Sequence, residues 1–223
     1  MEFSEIFDKI EEQLEGEAHL DELARKKQDP FKILISTILS ARTRDANTRI
    51  ATEKLFAKFS TPKTIAEANL DEIELLIRSS GFYKVKAARI KDVSRILVER
   101  YNSNVPDNYE ELISLPGVGS KTANCVLVYA YKVPAIPVDV HVHRISNRLG
   151  WVKTKTPPKT EVALKNTIPK ELWLKLNRLI VRFGQQICIS IKPKCESCSI
   201  NNICPKDFSM ELAIKKKIKN KYN

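Results

Sequence analysis

The feature that most constrains the fold of this chain is the sequence LPGVGSKTA at residues 115–123. Two glycines separated by one residue form a tight turn, and we expect Gly117 and Gly119 to take the positive φ angles that other residues avoid. Upstream, Asp107 is a candidate N-cap of a short helix that ends near Ser114. The segment therefore predicts a hairpin of two helices.

The second helix of this hairpin is predicted to run from Lys121 to Tyr131, because the stretch contains no Gly or Pro and is rich in apolar residues. Amide groups at a glycine turn and at a helix start form an anion site, which suits a DNA phosphate. The candidate DNA contacts are Gly117, Val118, Gly119 and Ser120. A glycine pair alone is more typical of an ordinary turn between helices, so the prediction depends on its context.

Helical signals extend along almost the whole chain and predict an all-α fold. Asp29 and Pro30 mark an N-cap and a first helical position, and the apolar stretch 31–39 that follows is expected to be a central helix. Proline interrupts the one β-like stretch, 133–142, which we interpret as an extended crossover. Further helices are predicted from Thr61-Pro62, from Asn69 to Gly81, at 84–101 and at 170–183.

The charge of the chain favours a polyanionic partner. It has 38 basic and 27 acidic side chains and a formal net charge of +11, and neutralised phosphates release counterions. The lysine-rich tail at 215–221 is predicted to add non-specific attraction. The acidic N-terminus is unlike a secretory signal, and no apolar run approaches the ~20 residues of a membrane span. We therefore expect a cytoplasmic protein, associated with the nucleoid in a prokaryote.

Four cysteines lie close together near the C-terminal end: Cys188, Cys195, Cys198 and Cys204. Four thiolates at such spacing can surround one metal centre, and the CESC sequence at 195–198 is common to zinc and iron–sulfur sites. A reducing compartment disfavours the alternative, disulfide pairing. The spacing alone does not distinguish zinc from a [4Fe–4S] cluster. Cys125, inside the hairpin's second helix, is predicted to be a buried apolar side chain.

Three motifs together resemble the endonuclease III family, the helix-hairpin-helix DNA glycosylases that cut DNA at oxidised pyrimidines. They are LPGVGSKTAN at 115–124, VDVHVHRISNR at 138–148 and the 6-2-5 spacing of the cysteines. The match runs from about Pro30 to Cys204, which is most of the chain. The resemblance implies an all-α fold of two helical domains that flank a DNA-binding cleft.

The resemblance also implies how the chain divides between these domains. A six-helix barrel would span about 21–133 and include the hairpin at about 108–131. The second domain would join residues 1–20 to 134–223 and hold a [4Fe–4S] cluster. The prolines of the crossover mark the expected boundary.

The resemblance further assigns catalytic residues and cluster ligands. Lys121 corresponds by position to the catalytic lysine of the family and Asp139 to its catalytic aspartate, and the four cysteines correspond to the ligands of the cluster. A lysine attacks C1′ of the sugar only as a neutral amine, and the positive end of a helix dipole disfavours the ammonium. Asp139 would accept the ammonium proton or stabilise the cationic sugar. A helix N-cap is an alternative, compatible role for Asp139.

The alternation of Asp139, His141 and His143 admits a metal site as another interpretation, with the ligands on one extended face. No third group of ligands accompanies them in the sequence. We therefore expect the histidines to contact phosphate or to cap a helix, and we take His141 as a candidate DNA contact.

A base inside a duplex must be flipped out before it is cut, and the gap must be filled. Arg42, which stands where bacterial members of the family carry a glutamine, and Phe82 are the candidate wedges. Packing in the core is the alternative for Phe82. Lys192 and Lys194, between the first two cluster cysteines, are candidate phosphate contacts, and solvated surface lysines are the alternative for both.

The sequence thus predicts a bifunctional DNA glycosylase and AP lyase that acts as a monomer on double-stranded DNA with a damaged base or an abasic site. One alternative is a monofunctional mismatch glycosylase on the same fold, a class that lacks the lysine at position 121. Another is a non-catalytic DNA-binding module with a structural metal. The presence of both Lys121 and Asp139 argues against such a non-catalytic module.

Overall fold

The computed structural model describes residues 2–27 and 29–209, so the lysine-rich tail lies outside the described residues. Within them the secondary structure is entirely helical, which confirms the all-α prediction. A 3-10 turn, Lys170–Leu172, precedes the last of the α-helices. These helices are α1 Phe3–Gln13, α2 His19–Arg25, α3 Pro30–Ser40, α4 Asp45–Lys58, α5 Pro62–Glu67, α6 Leu70–Leu76, α7 Tyr83–Tyr101, α8 Tyr109–Ser114, α9 Ser120–Tyr131, α10 Val140–Arg148, α11 Pro157–Thr167 and α12 Trp173–Gln186.

The described residues divide into two compact units. The first, which we call the hairpin unit, runs from Gly16 to Pro137 and contains α2 to α9. The second, the cysteine unit, joins the residues up to Glu15 to those from Val138 onward and contains α1 and α10 to α12. The roles assigned above to the two domains stay predictions. None of the described helices combines the length and the apolar character that a membrane-spanning segment requires.

Helix α3 is the centre of the hairpin unit, as its apolar sequence predicts. Asp29 caps its N-terminus, since Oδ1 accepts a hydrogen bond from the Phe31 amide at 2.6 Å, and Pro30 occupies the first helical position. The helix packs against α2, α4, α7 and α9, and every residue from Ile33 to Leu39 is buried. Full burial of each Leu or Ile side chain contributes about 1.5–3 kcal/mol relative to an exposed position.

Three helices differ at their boundaries from the predictions, and one of them is the helix predicted at 170–183, which is α12 and runs from Trp173 to Gln186 after the 3-10 turn. The N-cap of α8 is Asn108, not Asp107: Asn108 Oδ1 accepts a hydrogen bond from the Glu111 amide at 3.0 Å. Helix α6 ends at Leu76 rather than at Gly81. The hydroxyls after it donate to backbone carbonyls of other segments, which competes with continuation of the helix.

In the cysteine unit, α10 and α1 both pack against α12. The contact with α10 is so close that a Cβ atom at Gly184 would lie 2.5 Å from Nδ1 of His141. Trp151 lies beside Phe3 and Phe7, with a ring centroid 5.5 Å from that of Phe3. The stretch predicted as a crossover is irregular until α10 begins at Val140.

Candidate active site and metal centre

The turn between α8 and α9 is held by its own backbone and by two buried side chains. The Val118 amide donates to the Leu115 carbonyl at 3.1 Å, and both side chains are buried, Val118 with 6% of its surface exposed. Gly117 takes a φ of +77°, as predicted. Gly119 does not: it is the N-cap of α9 with a φ of −100°, because a single left-handed residue is enough to reverse the chain here. Of the two glycines, only Gly117 is required for its backbone angle.

The sequence predicts an anion site at the start of α9, and contact with DNA there stays a prediction. The first amides of a helix have no intrahelical acceptor and lie at the positive end of its dipole. Gly119 and Ser120 lie at this helix start, and Ser120 Oγ accepts a hydrogen bond from Nδ2 of the Asn124 side chain at 3.4 Å. Because the Val118 side chain is buried, this residue can meet DNA only through its backbone.

Lys121 is the second residue of α9 and is half-buried. The helix behind it is buried from Ala123 to Tyr129, which includes Cys125 as predicted. Because the helix is buried, its first turn is held in place, and the side chain of Lys121 extends from a fixed backbone position. Its catalytic role stays a prediction.

Asp139 caps the N-terminus of α10. Its Oδ1 accepts hydrogen bonds from the His141 amide at 2.9 Å and from the Val142 amide at 2.8 Å. The two bonds fix the plane of the carboxylate and place its charge at the positive end of the helix dipole. Both bonds use Oδ1, so Oδ2 is left for other chemistry. The N-cap role is therefore observed, and the catalytic role stays a prediction beside it.

The helical conformation of α10 removes the alternative of a metal site at Asp139, His141 and His143, since residues two apart do not share a helix face. His141 is half-buried, and its Nδ1 accepts from Nη2 of Arg144 at 3.3 Å. Burial lowers the pKa of His141, and Arg144 lowers it further against the opposing effect of Asp139. The ring is therefore neutral at pH 7 and is engaged with the protein through Nδ1.

The four cysteines line one cavity in the cysteine unit, with about 380 Å³ of empty space, part of it open to solvent. Burial raises the pKa of Cys198 and of Cys204, and the neighbouring thiols raise both further. Four thiolates in this cavity therefore need positive charge among them, which a metal centre supplies. Among the described residues, no three Cys, His, Asp or Glu side chains are arranged to hold a single metal ion.

Two arginines of α10 hold the first cysteine in place, a feature that the sequence analysis missed. Arg148, only 2% exposed, donates to Cys188 Sγ at 3.3 Å, to the Ile189 carbonyl at 2.9 Å and to the Ser190 carbonyl at 3.0 Å. Arg144 donates to the Cys188 carbonyl at 2.9 Å. The four-residue spacing of the two arginines in a short helix was a signal that could have suggested a shared target.

Arg42 and Phe82, the predicted wedges, lie together in the hairpin unit. Cζ of Arg42 is 5.8 Å from the centroid of the Phe82 ring, and both residues have positive φ angles, +51° and +57°. Phe82 is 63% exposed, so the alternative of a core position is wrong. Lys192 and Lys194 are exposed on the loop between the first two cluster cysteines. Whether these four residues contact DNA stays a prediction.

Together, the lysine behind a helix-hairpin-helix turn, the aspartate cap and the four-cysteine cavity define a protein of the helix-hairpin-helix glycosylase class. The family model of the HhH-GPD superfamily base excision DNA repair proteins matches residues 35–170. Endonuclease III of Thermotoga maritima is 55% identical over 80% of this chain and 84% of its own length. This chain belongs to the endonuclease III family.

Solved structures of the family have the same fold. A non-covalent endonuclease III–DNA complex is 34% identical and has a TM-score of 0.81, over 95% of this chain and 96% of the other. A trapped covalent intermediate of endonuclease III with DNA is 38% identical and has a TM-score of 0.77, over 84% of this chain and 92% of the other.

Proposed function

We propose that this protein is a bifunctional DNA glycosylase and AP lyase of base excision repair, which removes oxidised pyrimidines from double-stranded DNA. The observation that carries the proposal is Lys121, a lysine in the first turn of the helix behind the hairpin. The membership of the chain in the endonuclease III family supports it, and so does the similarity to an endonuclease III trapped in a covalent bond with DNA.

In the first step, the neutral amine of Lys121 attacks C1′ and the N-glycosidic bond breaks. The base leaves with the bonding electrons and takes up a proton, and C1′ is then bonded to both the lysine nitrogen and O4′. The nitrogen loses a proton, the C1′–O4′ bond breaks with its electrons passing to O4′, which takes up a proton, and the opened sugar remains joined to Lys121 as a Schiff base. Asp139 accepts the ammonium proton or stabilises the positive charge that develops on the sugar. Its double N-cap bond supports this role, because the carboxylate is held by Oδ1 while Oδ2 stays available.

In the second step, a proton leaves C2′ and its electrons form a double bond to C3′, so that the 3′ phosphate departs by β-elimination. Water then hydrolyses the Schiff base and restores the amine of Lys121. The amides at the start of α9 would hold a backbone phosphate during both steps. The strand is thus cut 3′ to the abasic site.

We also propose that Cys188, Cys195, Cys198 and Cys204 hold a [4Fe–4S] cluster. A cluster keeps its four thiolates farther apart than a single ion does, which agrees with thiols that share a cavity but form no single-ion site among the described residues. When bound, the cluster supplies positive iron to the thiolates and stabilises the loop. Purified protein should be yellow-brown, with broad absorption near ~400 nm. A colourless protein containing zinc would contradict this assignment.

The lyase function is tested with an abasic duplex and borohydride, which reduces a Schiff base to a stable covalent adduct. We expect the unmodified protein to form the adduct and Lys121→Ala to bind the duplex without forming it. Lys132→Ala, at the exposed C-terminal end of the same helix, is the matched control and should react normally. A second duplex, which carries an oxidised pyrimidine, separates the alternatives: base release without an adduct would indicate a monofunctional glycosylase, and binding without either would indicate a non-catalytic module. Action as a monomer in the cytoplasm stays a prediction.

A further inference from the structure

A buried lysine joins two loops of the hairpin unit. Lys86 on α7 is only 4% exposed, and its Nζ contacts four oxygen atoms within hydrogen-bond distance. Two are backbone carbonyls, of Leu39 at 2.7 Å and of Ala41 at 2.6 Å. The others are hydroxyls, Thr43 Oγ1 and Ser80 Oγ, both at 2.9 Å. All four lie in two segments, which we call the wedge loops: residues 39–44, the end of α3 and the loop after it, and residues 79–83, the loop that leads into the first residue of α7.

The wedge loops are also bonded directly to each other. Ser80 Oγ donates to the Leu39 carbonyl at 3.0 Å, and the Gly81 amide donates to Thr43 Oγ1 at 3.1 Å. The two backbones approach so closely that a Cβ atom at Gly81 would lie 3.0 Å from the Arg42 carbonyl oxygen. Lys86 therefore lies at the centre of a polar network that holds one loop against the other.

This network supports an unfavourable backbone. Arg42 and Phe82, one on each loop, are non-glycine residues in the left-handed region, which costs about 1–3 kcal/mol each unless the surroundings impose it. Their side chains lie against each other and Phe82 is exposed. The structure thus maintains an exposed cation–aromatic pair on two strained positions.

The charge of Lys86 is suited to this task. No carboxylate is among its hydrogen-bond partners in the described part of the chain, but its ammonium lies at the C-terminal end of α3, where the helix dipole is negative. Burial lowers the pKa of Lys86 to about 8, with a further contribution from Arg89. The side chain therefore remains protonated at neutral pH and donates three hydrogen bonds.

We propose that Lys86 is a positioning residue, which holds Arg42 and Phe82 as one preassembled wedge before the protein meets DNA. The inference rests on the proposed function, because a wedge is needed only where a nucleotide leaves the duplex. Opening the duplex costs a few kcal/mol. A wedge that is already ordered does not add its own conformational entropy to that cost.

The test compares Lys86→Met with Lys91→Met. Lys91 is on the same helix as Lys86, and its side chain donates to the Ala68 carbonyl, away from the wedge loops. Each variant is given one lesion, thymine glycol, in two settings: paired in a full duplex, and opposite a three-nucleotide gap where no partner base must be displaced. We expect Lys86→Met to lose about tenfold in kcat/KM on the duplex and less than twofold on the gapped substrate. Lys91→Met should leave the ratio of the two rates unchanged.

A fluorescent base analogue, 2-aminopurine, beside the lesion provides a second readout. Its emission should rise when the unmodified protein unstacks the duplex, and the rise should be slower with Lys86→Met. If Lys86→Met does not fold, Thr43→Val decides, since it removes a hydroxyl of the network without changing the shape of the side chain. Its expected loss is about threefold, on the duplex alone.

The outcomes separate the two proposals. An unmodified protein that forms no borohydride adduct with an abasic duplex would disprove the proposed function itself. If the adduct forms, a duplex-to-gap ratio for Lys86→Met or Thr43→Val equal to that of the unmodified protein overturns the positioning role. Equal losses on both substrates give such an unchanged ratio and indicate a general structural effect.

Discussion

The hairpin turn and the cysteine-rich segment are both short, yet they are stabilised in different ways. The turn at 115–123 buries Leu115, Val118 and Ala123 and needs little else. The segment 187–208 contains no helix in the described structure and buries only Ile200. Arginine side chains of α10 hold it instead, through its backbone carbonyls and through a cysteine sulfur.

The difference teaches where single substitutions matter. Apolar burial is distributed over many atoms and has no preferred direction, so a buried turn tolerates changes on its exposed side. A segment held by a few charge-assisted hydrogen bonds depends on each donor, because a lost donor leaves several buried acceptors unsatisfied. The cysteine-rich segment should therefore be the more sensitive of the two regions.

The largest expected effect is that of Arg148→Met, which removes the donor to three residues of the cysteine-rich segment. Its loss should cost about 3–5 kcal/mol, because each acceptor that it leaves unsatisfied costs about 1–3 kcal/mol. Urea unfolding measures the change in free energy. Arg178→Met, which removes a half-exposed ion pair with Glu11, is the control and should cost about 0–1 kcal/mol. Equal costs for both variants would show that the cysteine-rich segment does not depend on the hydrogen bonds of Arg148.

A smaller effect is expected from Gly184→Ala, at the contact between α10 and α12 in the cysteine unit. The new Cβ would lie 2.5 Å from His141 Nδ1 and 2.8 Å from Ile145 Cδ1, so α10 must move away from α12. Overpacking of this kind costs about 1–3 kcal/mol, which exceeds the gain of about 1 kcal/mol from replacing glycine in a helix. Thermal unfolding with and without His141→Ala measures it. A stabilised Gly184→Ala variant would show that the two helices are not closely packed.

Substitutions of the two glycines test how the hairpin turn, the other of the two regions, is stabilised. Gly117→Ala should cost about 1–2 kcal/mol, because its φ is +77° and a Cβ atom would lie 2.6 Å from Arg89 Cδ. Gly119→Ala should cost about 0.5 kcal/mol, the difference between glycine and alanine at an N-cap, since a Cβ atom there meets nothing within 4 Å. Denaturant unfolding of the two variants measures both changes in the free energy of unfolding. A reversed order would contradict the conformation of the turn.

The last expected effect is a pH dependence in the hairpin unit. Burial lowers the pKa of His19 below 6.5, with a further contribution from Arg49, so the folded protein keeps this ring neutral where the unfolded chain takes up a proton. Its contribution to stability is therefore complete above pH 6.5 and declines as the pH falls. Between pH 7 and 5.5 we expect a loss of stability that His19→Leu does not show. Parallel pH profiles of the two proteins would rule this out.

Local signals in the sequence predicted much of the fold. Asp29 and Pro30 mark the start of α3, and the long helix predicted at 84–101 is α7, one residue longer. Both predictions are correct because capping and apolar periodicity act over a few residues. Where two neighbours offer the same local signal, as Asp107 and Asn108 do, capping preference does not distinguish them, and the predicted N-cap is wrong.

The sequence by itself determined the helical class, the hairpin, the family and the residue types available for chemistry. Only the tertiary structure decided which positively charged side chains hold the molecule together, as Lys86 and Arg148 do. In sequence each is one basic residue among many. Their partners include backbone carbonyls about forty positions away, at Leu39 and Ile189. Every residue carries such a carbonyl, so no pattern of side chains reveals which ones the fold will bring to a buried cation.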